Sequence, residues 1–486
     1  MKAYETVIGL EVHVELATKS KIFCGCTTQF GGEPNTHCCP VCTGMPGTLP
    51  VLNKQVVEFA MAAGLALNCS ITQKCKFDRK NYFYPDLPKA YQISQLYLPI
   101  CRDGGIEIDT EAGTKTIRIH EIHMEEDAGK LVHDPWEDCT LVDYNRCGVP
   151  LIEIVSEPDM RSAQEVVAYL EKLRLILQYL GVSDCKMQEG SLRADINLSV
   201  REVGAKEFGT RTEMKNMNSF KAIARAIEGE RKRQVELLEE SKKVIQETRR
   251  WDDNKDTSFA MRSKEDAQDY RYFPEPDLVP IEISDEWLME IKARQPELRD
   301  EKMARYEKEF DIPFYDASII TSSKHLADLF EETVVLCGKP KEVSNWIMVE
   351  TMRLLKEEEM EPDAITFSAN QLASLIMMVD ENKINRTVAK EVFEKVFKEN
   401  VEPEEYVEKH GLLMVSDDGL LRTTITKIVE DNPQSVIDYK NGKTKAMGFL
   451  VGQTMKEMKG KADPSMVNQI LKEILEGYCI SNPDKL

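Results

Sequence analysis

Glutamate and histidine residues recur at two-residue spacing in two separate stretches, Glu11-Val-His-Val-Glu15 and His123-Met-Glu125. Side chains two apart on a β-strand share one face, so Glu11, His13 and Glu15 are predicted to point to one side while the intervening valines pack on the other. Carboxylates held this closely repel each other unless a cation or a bound proton offsets their charge. The two stretches together predict a metal site, and the alternative is two strand ends exposed to water.

A third carboxylate, Glu153, interrupts an otherwise apolar strand pattern. Burying an unpaired carboxylate is costly, so Glu153 is expected to reach a cation, a network of donors or the water at a sheet edge. Glu11, Glu125 and Glu153, together with waters, suit Mg²⁺, which takes a few carboxylates and leaves room for phosphate oxygens. His13 is a less usual Mg²⁺ ligand and is a candidate for orienting a carboxylate or a water.

Four cysteines form a second set with metal-binding spacing, Cys24-Gly-Cys26 and Cys39-Pro-Val-Cys42. Four thiolates at such spacings fit tetrahedral Zn²⁺, and the loop between the pairs is rich in turn residues. Cys38 is a spare thiol beside this set, and His37 is a possible substitute ligand. A redox pair is the alternative for the CxxC motif, but no thioredoxin-like βαβ pattern surrounds it.

A loop between Phe77 and Gln92 combines prolines with aromatic and basic side chains, among them Lys80, Tyr82 and Lys89. Prolines favour an irregular conformation, and binding groups concentrate in such loops. Aromatic faces beside cations can stack on a base and hold phosphates. We interpret this loop as a binding segment, and the alternative is a tyrosine-rich surface turn.

Composition bounds the class of protein. The chain has 486 residues, and length alone allows roughly three domains. It has neither an early apolar segment typical of a signal peptide nor an apolar run of roughly 18 residues or more, which predicts a cytoplasmic protein without membrane segments. Thirteen cysteines in such a chain indicate reduced thiols. The formal net charge of −21 excludes wholesale coating by nucleic acid and leaves only local basic patches.

The elements that would position these residues change along the chain. Residues 1 to about 160 are predicted to be rich in short strands, with one helical stretch at Val56–Leu67. Apolar residues at three- and four-residue steps then predict an amphipathic helix that begins near Asp159 or Ser162 and ends at Gly181.

Two further strands are predicted after this helix, at Arg193–Arg201 and Thr210–Asn216. Strict alternation gives the first a polar face that carries Arg193 and Asp195, and the second a polar face that carries Glu213. Because antiparallel sheets can leave one face polar, these residues are candidates for the floor of a charged substrate's site. Ser219 is predicted to cap the next helix.

Beyond about residue 284 the pattern is almost wholly helical. We predict an α+β protein with an antiparallel-sheet domain over residues 1–290, a helical domain over 291–405 and a small helical tail domain over 406–486. The second boundary rests on proline and acidic residues near Glu402–Glu405, which interrupt the helical pattern.

The tail carries a local excess of positive charge. Between Asp438 and Asp463 the chain has six lysines and three acidic residues. The lysines are Lys440, Lys443, Lys445, Lys456, Lys459 and Lys461. Lysines placed this way can contact phosphates without reading sequence, and the alternative is an ordinary solvated helical face.

Several segments, taken in order along nearly the whole chain, closely resemble the B subunits of the aspartyl/glutamyl-tRNA amidotransferases. These segments are Val7–Glu15, Phe77–Asp86, His123–Lys130, Pro150–Asp159, Tyr270–Asp277 and Lys445–Gln453. The resemblance implies a cradle-shaped catalytic domain, a helical domain and a small helical tail domain that contacts tRNA.

The resemblance also implies an ATP-dependent ligase reaction on a misacylated tRNA. In that family the B subunit phosphorylates the side-chain carboxylate of Glu-tRNA(Gln) or Asp-tRNA(Asn), and ammonia then displaces the phosphate to form the amide. A partner amidase A subunit makes the ammonia from glutamine and delivers it through a channel, and a small C subunit completes a heterotrimer. The competing hypothesis is a non-catalytic tRNA-binding scaffold. A zinc-dependent hydrolase is disfavoured, because four protein thiolates leave zinc no open position.

Carried over by resemblance, Glu11, His13 and Glu125 are expected to form the Mg²⁺-centred kinase site, with Glu153 as a nearby carboxylate. Lys80 and Arg193 are expected to offset the charge of ATP and the carboxylate.

Three further assignments follow from the same resemblance. Asp195 and Glu213 are candidates for ordering waters or a second metal. Tyr82 is a candidate for lining the pocket of the tRNA acceptor end, with Lys89 as a further substrate-binding candidate. The four cysteines resemble the zinc-bearing version of the family, in which zinc holds the fold rather than doing chemistry.

Overall fold

The computed structural model of the protein describes residues 3–134, 136–263, 270–414, 418–458 and 462–481. The chain divides into two compact units, Met1–Arg299 and Asp300–Leu486. The first unit contains all the described strands and four helices, and the second is helical. The α+β fold class predicted from the sequence is therefore confirmed.

The strands of the first unit are short except for four, which have 10 to 14 residues each. In chain order they are β1 (Tyr4–Glu15), β2 (Ser70–Ile71), β3 (Lys74–Cys75), β4 (Asp78–Asn81), β5 (Tyr91–Ser94), β6 (Cys101–Thr110), β7 (Gly113–Glu126), β8 (Lys130–His133), β9 (Thr140–Asp143), β10 (Pro150–Ser156), β11 (Leu192–Glu202), β12 (Thr212–Lys215), β13 (Glu247–Asp252), β14 (Thr257–Ser263), β15 (Phe273–Pro274) and β16 (Ile281–Glu282).

Nine of these strands form one sheet, in the order β14-β13-β12-β11-β1-β10-β7-β6-β2. Neighbouring strands are antiparallel except β12 and β13, which are parallel, so the sheet is mixed rather than purely antiparallel as predicted. A helix connects β12 to β13, and a helical crossover is what allows two strands to pair in parallel.

The sheet has one apolar and one polar face because its central strands alternate. In β1 the side chains of Val12 and Val14 are fully buried, and Ile152 and Ile154 of β10 are fully buried beside them. Burying one such side chain stabilises the fold by about 1.5–3 kcal/mol. The residues between them project from the opposite face, which is where the polar side chains gather.

Helices cover the apolar face. They are α1 (Lys54–Ala66), α2 (Ala163–Leu180), α3 (Phe220–Glu239) and α4 (Asp285–Ala293). Ser162 caps α2 by accepting a hydrogen bond from Glu165 N, and Gly181 ends it with φ of 69°. Ser219 caps α3. The sequence predicted the termini at Gly181 and Ser219, and it gave Asp159 or Ser162 as the start of α2, because capping depends on local residue types.

A smaller sheet, in the order β15-β4-β5, lies beside the end of β7. Gln92 Nε2 donates to Glu126 O at 2.8 Å, and Ile93 N donates to Glu126 Oε1 at 2.9 Å. These bonds hold β5 beside β7, and β5 pairs with β4, the strand that carries Lys80. Two further pairs, β8 with β9 and β3 with β16, complete the strands.

The second unit consists of helices around two hydrophobic cores. Its helices are α5 (Arg299–Phe310), α6 (Phe314–Ile320), α7 (Lys324–Cys337), α8 (Pro340–Asn345), a π-helical turn (Trp346–Thr351), α9 (Met352–Glu357), a 3₁₀ turn (Pro362–Ala364), α10 (Ala369–Asp380), α11 (Arg386–Glu399), α12 (Pro403–Lys409), α13 (Asp418–Asp431), α14 (Pro433–Lys440), α15 (Thr444–Glu457) and α16 (Pro464–Ser481). One core contains residues between Tyr306 and Val407, and the other contains residues between Leu421 and Leu475. Among the described helices, none combines the length and the apolar composition that crossing a bilayer requires.

The domain boundaries at residues 290 and 405 stay predictions. The first unit extends to Arg299, and Gln295, which follows α4, donates from Nε2 to Ala62 O of α1 at 2.9 Å. Near the second boundary, Pro403 starts α12, and Val407 of that helix is buried in the earlier of the two helical cores. Proline at the first position of a helix starts it rather than breaking it, which the sequence pattern did not distinguish.

Candidate active site

One row of polar side chains crosses four neighbouring strands of the large sheet. His123 on β7 lies opposite Glu153 on β10, Glu153 lies opposite His13 on β1, and His13 lies opposite Arg193 on β11. Because paired residues in a sheet point to the same face, this register brings together side chains from four distant parts of the chain. Glu153 is on an inner strand, which excludes the edge-strand alternative.

The first cluster of the row consists of two histidines and two glutamates. His13 Nε2 lies 3.3 Å from Glu153 Oε2 and 3.5 Å from Glu125 Oε1. His123 Nε2 lies 3.0 Å from Glu153 Oε2 and 3.8 Å from Glu125 Oε2. His13, Glu125 and Glu153 each have one ligand atom within 4.8 Å of the others, which is a donor set that fits a divalent cation.

The charges of this cluster depend on one another. Burial disfavours the charged form of each group, yet His123 and His13 hold the pKa of Glu153 well below its usual value. Burial also disfavours charged imidazoles, but the glutamates outweigh it and raise the pKa of both His13 and His123. A carboxylate pair here is therefore balanced by protons on histidine, which a bound cation can replace.

Glu11 belongs to a second cluster rather than to the first. Its carboxylate lies within 4.8 Å of those of Asp195 and Glu213. Lys215 contacts Asp195 and lies 2.8 Å from Glu213 Oε1, and Asn197 donates to Glu11 Oε1 at 2.9 Å. Burial, and then repulsion from Glu153 of the first cluster, raise the pKa of Glu11. Glu11 was expected to join His13 and Glu125 in one ligand set, but the structure places it with Asp195 and Glu213 instead.

Lys80 lies beside the first cluster, enclosed by aromatic rings. Its Nζ is 5.0 Å from the ring centre of Tyr270 and 5.8 Å from that of Tyr82. Burial disfavours the ammonium, but the Glu125 carboxylate outweighs it and raises the pKa of Lys80. Burial also raises the pKa of Tyr82 to about 12, so the phenol stays neutral and can donate. The structure brings both predicted residues to the first cluster.

Arg193 is held at the other end of the row. Its Nη2 donates to Asp127 Oδ2 at 2.7 Å. Arg146 Nε lies 3.4 Å from the same Asp127 oxygen, so the two guanidinium groups share one carboxylate. Burial and the neighbouring Asp127 carboxylate raise the pKa of Glu15 to about 8. Arg193 therefore presents a positive charge beside His13 from a fixed position.

Lys89 is not at this cluster. It forms an ion pair with Glu126 and lines a cavity of about 210 Å³ whose wall also includes Cys24 and Cys42. Lys89, which was predicted to bind substrate, therefore lies beside the cysteine cluster.

The four predicted cysteines come together in space. Cys24, Cys26, Cys39 and Cys42 have sulfur atoms within 4.8 Å of one another. The Cys39 and Cys42 sulfurs are 4.0 Å apart, close to the ~3.8 Å edge of a tetrahedron with Zn–S bonds of ~2.3 Å. A hydrogen bond from Cys24 lowers the pKa of Cys42 to about 4, which favours the thiolate that zinc binds.

The alternative ligands point elsewhere. Cys38 Sγ donates to Asn35 O at 3.2 Å, and His37 Nδ1 bonds to Gln29 O at 3.1 Å. The donor set therefore fits zinc through the four cysteines. The twelve cysteines from Cys24 to Cys337 are free thiols.

The predicted basic residues of the tail lie on or near α14 and α15. Lys443, Lys445 and Lys456 are exposed and Lys440 is half-buried. Lys443 pairs with Asp438 at 2.9 Å. Lys459 and Lys461 lie outside the described residues.

Sequence reasoning predicted His123 as part of the metal site, because it shares a face with Glu125. It missed two other contributors to the surroundings of the first cluster. Tyr270 and Tyr272 reach Lys80 from a loop almost two hundred residues away, and only the pairing of β15 with β4 reveals this.

Comparison with known proteins gives consistent results along the chain. The family model for the GatB/GatE catalytic domain matches residues 6–289 of the sequence, and the family model for the GatB domain matches residues 328–475. The chain is 79% identical to the B subunit of the aspartyl/glutamyl-tRNA(Asn/Gln) amidotransferase of Lachnoclostridium phytofermentans, over 98% of this chain and 99% of that one. The proteins of the same name from Agathobacter rectalis and Caldicellulosiruptor bescii are 72% and 60% identical, over 98% and 97% of this chain and 100% and 99% of theirs.

Proposed function

The chain belongs to the GatB/GatE family of amidotransferase B subunits, and from this premise we propose that it activates the side-chain carboxylate of a misacylated tRNA with ATP and converts it to the amide. The substrates are Glu-tRNA(Gln), Asp-tRNA(Asn) or both. A carboxylate oxygen attacks the terminal phosphorus of ATP, which releases ADP and forms an acyl phosphate. Ammonia then attacks the carbonyl carbon and phosphate leaves.

The observation that carries this proposal is the cluster of His13, Glu125 and Glu153, with cationic Lys80 and Arg193 on either side of it. Bringing a carboxylate to a triphosphate joins two anions, and fixed positive groups must offset the repulsion. Burial of the cluster strengthens these electrostatic effects. A divalent cation such as Mg²⁺ on the cluster would neutralise charge on the transferred phosphoryl group.

The residues of the candidate active site have proposed roles in this step. Lys80 and Arg193 bind anionic oxygens of ATP and of the acyl carboxylate. Tyr82 lines the pocket for the tRNA acceptor end and donates a hydrogen bond there. Glu11, Asp195 and Glu213 order waters or a second cation. The ammonium of Lys215 already neutralises part of their charge through its contacts with Asp195 and Glu213.

The cysteine cluster is proposed to hold a structural zinc ion. Its four thiolates leave no ligand position for a substrate, so this centre stabilises the fold beside the cavity that Lys89 lines.

The partners follow from the names of the relatives, which describe one subunit of a larger enzyme. We propose that the chain acts in a heterotrimer with an amidase A subunit and a small C subunit, in the cytoplasm. The tail lysines contact tRNA phosphates.

The test is amide formation on Glu-tRNA(Gln) and Asp-tRNA(Asn), with ammonia, ATP and Mg²⁺, in the presence and absence of the partner subunits. ADP release that tracks amide formation is the expected result, and it identifies the tRNA used. Tight tRNA binding without ADP release or amide formation, with the partners present, would favour a non-catalytic tRNA-binding scaffold.

A separate test addresses the tail. Joint replacement of Lys440, Lys443, Lys445 and Lys456 by glutamine should weaken tRNA binding and flatten its dependence on salt. An unchanged salt slope would remove these lysines from the interface.

A further inference from the structure

Lys21 is a fully buried lysine that contacts the cysteine cluster. None of its surface is exposed, and its Nζ lies 3.6 Å from Cys42 Sγ. Its backbone N–H also donates to Cys26 O at 2.9 Å. Both the main chain and the ammonium of Lys21 are thus bonded to residues of the cluster.

The charge of Lys21 is balanced differently from that of its neighbour. Lys89 lines the same cavity and pairs with the Glu126 carboxylate. Over the ranges that the structure describes, the Lys21 ammonium has the Cys42 sulfur as its partner and no carboxylate. Burying a cation without an anion is costly, so the cluster itself must supply the negative charge.

We propose that Lys21 is the positioning residue that balances the charge of the zinc centre by donating an N–H bond to the Cys42 thiolate. This inference rests on the proposed zinc centre. Four thiolates around Zn²⁺ carry a net charge of 2−, and one buried ammonium reduces it to 1−.

Cys42 is the ligand best supplied with donors for this purpose. Its sulfur accepts the Lys21 ammonium and also the backbone N–H of Cys39 at 3.2 Å. Donors to a ligand atom fix its orientation and withdraw charge from it, and losing one typically costs 10- to 100-fold in metal affinity. Lys21 is therefore expected to slow the release of zinc and to protect the Cys42 sulfur from electrophiles.

Lys21 differs from an ordinary core residue in that its effect on stability depends on zinc. In the zinc-loaded protein the ammonium faces a centre of net charge 2− and stabilises it. In the zinc-free protein its partner is the Cys42 sulfur alone, so Lys21 contributes less to the stability of the fold. An ordinary packing residue would affect both forms alike.

The experiment compares the full-length wild type with Lys21→Met, which keeps an unbranched side chain, one atom shorter, and removes its charge. Lys19→Met, at an exposed lysine two residues away, is the matched control. Bound zinc is quantified by metal analysis. Its affinity is then measured by competition with a chromogenic chelator, and thermal unfolding is followed with and without zinc.

We expect Lys21→Met to bind zinc about tenfold more weakly, equivalent to ~1.4 kcal/mol. We also expect the loss in melting temperature relative to the wild type to be larger with zinc than without it. Lys19→Met should match the wild type in both assays. Lys21→Gln keeps an N–H donor without the charge, so its zinc affinity should lie between those of the wild type and Lys21→Met. It also provides the affinity measurement if the methionine variant does not fold.

Two results would overturn the inference, and they are distinguishable. If the wild type holds zinc and both Lys21 variants hold it equally tightly, Lys21 has no role at the centre although the zinc centre stands. If the wild type holds no zinc, the zinc centre itself fails, and the inference fails with it.

Discussion

Two clusters of carboxylates lie on the same polar face of the large sheet, and the fold balances their charges in different ways. Glu11, Asp195 and Glu213 are accompanied by Lys215, a permanent cation. Glu125 and Glu153 are accompanied by histidines instead. Strand register supplies both sets of neighbours, so the difference lies in the type of residue at each position.

This difference indicates which cluster can exchange its positive partner. Lysine keeps its charge at neutral pH, whereas imidazole loses a proton in the physiological range and can then bind a metal ion. A cluster balanced by histidines can therefore accept a divalent cation by releasing protons. A cluster balanced by lysine has less to gain from one. The comparison predicts that chemistry depends on the first cluster and that the second is mainly electrostatic support.

The largest expected effect separates the clusters by activity. Glu125→Gln in the complete complex should reduce amide formation about 1,000-fold, or ~4 kcal/mol, because it removes a carboxylate from the cation-binding set. Glu213→Gln should reduce amide formation about tenfold or less, because Lys215 still balances the charge of Asp195. Steady-state amide formation measures both, with tRNA binding as the control for folding. Equal losses in the two variants would contradict the comparison.

Removing the lysine of the second cluster should make it resemble the first. Lys215→Met leaves three carboxylates without their cation, and we expect the free energy of unfolding to fall by about 3 kcal/mol. Millimolar Mg²⁺ should restore part of this loss in the variant and change the wild type little. Denaturant unfolding with and without Mg²⁺ measures it, with the exposed Lys74→Met as control. A loss that Mg²⁺ does not relieve would show that Lys215 contributes by packing.

A buried carboxylate away from both clusters shows how much a permanently charged partner contributes to the free energy of unfolding. Glu230 is 1% exposed and accepts hydrogen bonds from Arg233, Gln234 and Thr212. Burial raises its pKa, but the bonds from Arg233 and Gln234 outweigh this and hold it below the usual value. Glu230→Gln should therefore cost about 2 kcal/mol at pH 7.

The pH dependence of that variant follows from the direction of the pKa shift. A carboxyl group whose folded-state pKa is lowered stabilises the fold above its unfolded pKa of about 4.5. That stabilisation is lost as the pH falls through the lower folded value. The difference between the wild type and Glu230→Gln should shrink below pH 4.5, and a constant difference from pH 7 to pH 3 would exclude the charge as its cause.

The smallest expected effect concerns a neutral donor in the second cluster. Asn197→Ala removes the 2.9 Å hydrogen bond to Glu11 and should lower the free energy of unfolding by about 1 kcal/mol. In a Glu11→Gln background, where no carboxylate charge needs a donor, the same change should cost less. A double-mutant cycle of unfolding free energies tests this coupling.

Much of the local structure was predictable because it depends on neighbouring residues. The end of α2 at Gly181 and the cap of α3 at Ser219 follow from residue types alone, and for the start of α2 the residue types left Asp159 and Ser162 as alternatives. The four cysteines were predictable for the same reason, since a short loop brings both pairs together. Lys21 was not, because nothing in its sequence neighbourhood shows that a lysine is buried there.

The sequence by itself determined the two-residue spacing of glutamates and histidines, and therefore which side chains share a face of their own strand. Only the tertiary structure decided which strands lie side by side. The order β11-β1-β10-β7 puts His123, Glu153, His13 and Arg193 in one row and sends Glu11 to Asp195 and Glu213. The physical reason is that alternation is a property of a single strand, whereas register depends on pairing between different segments, here 30 to 180 residues apart.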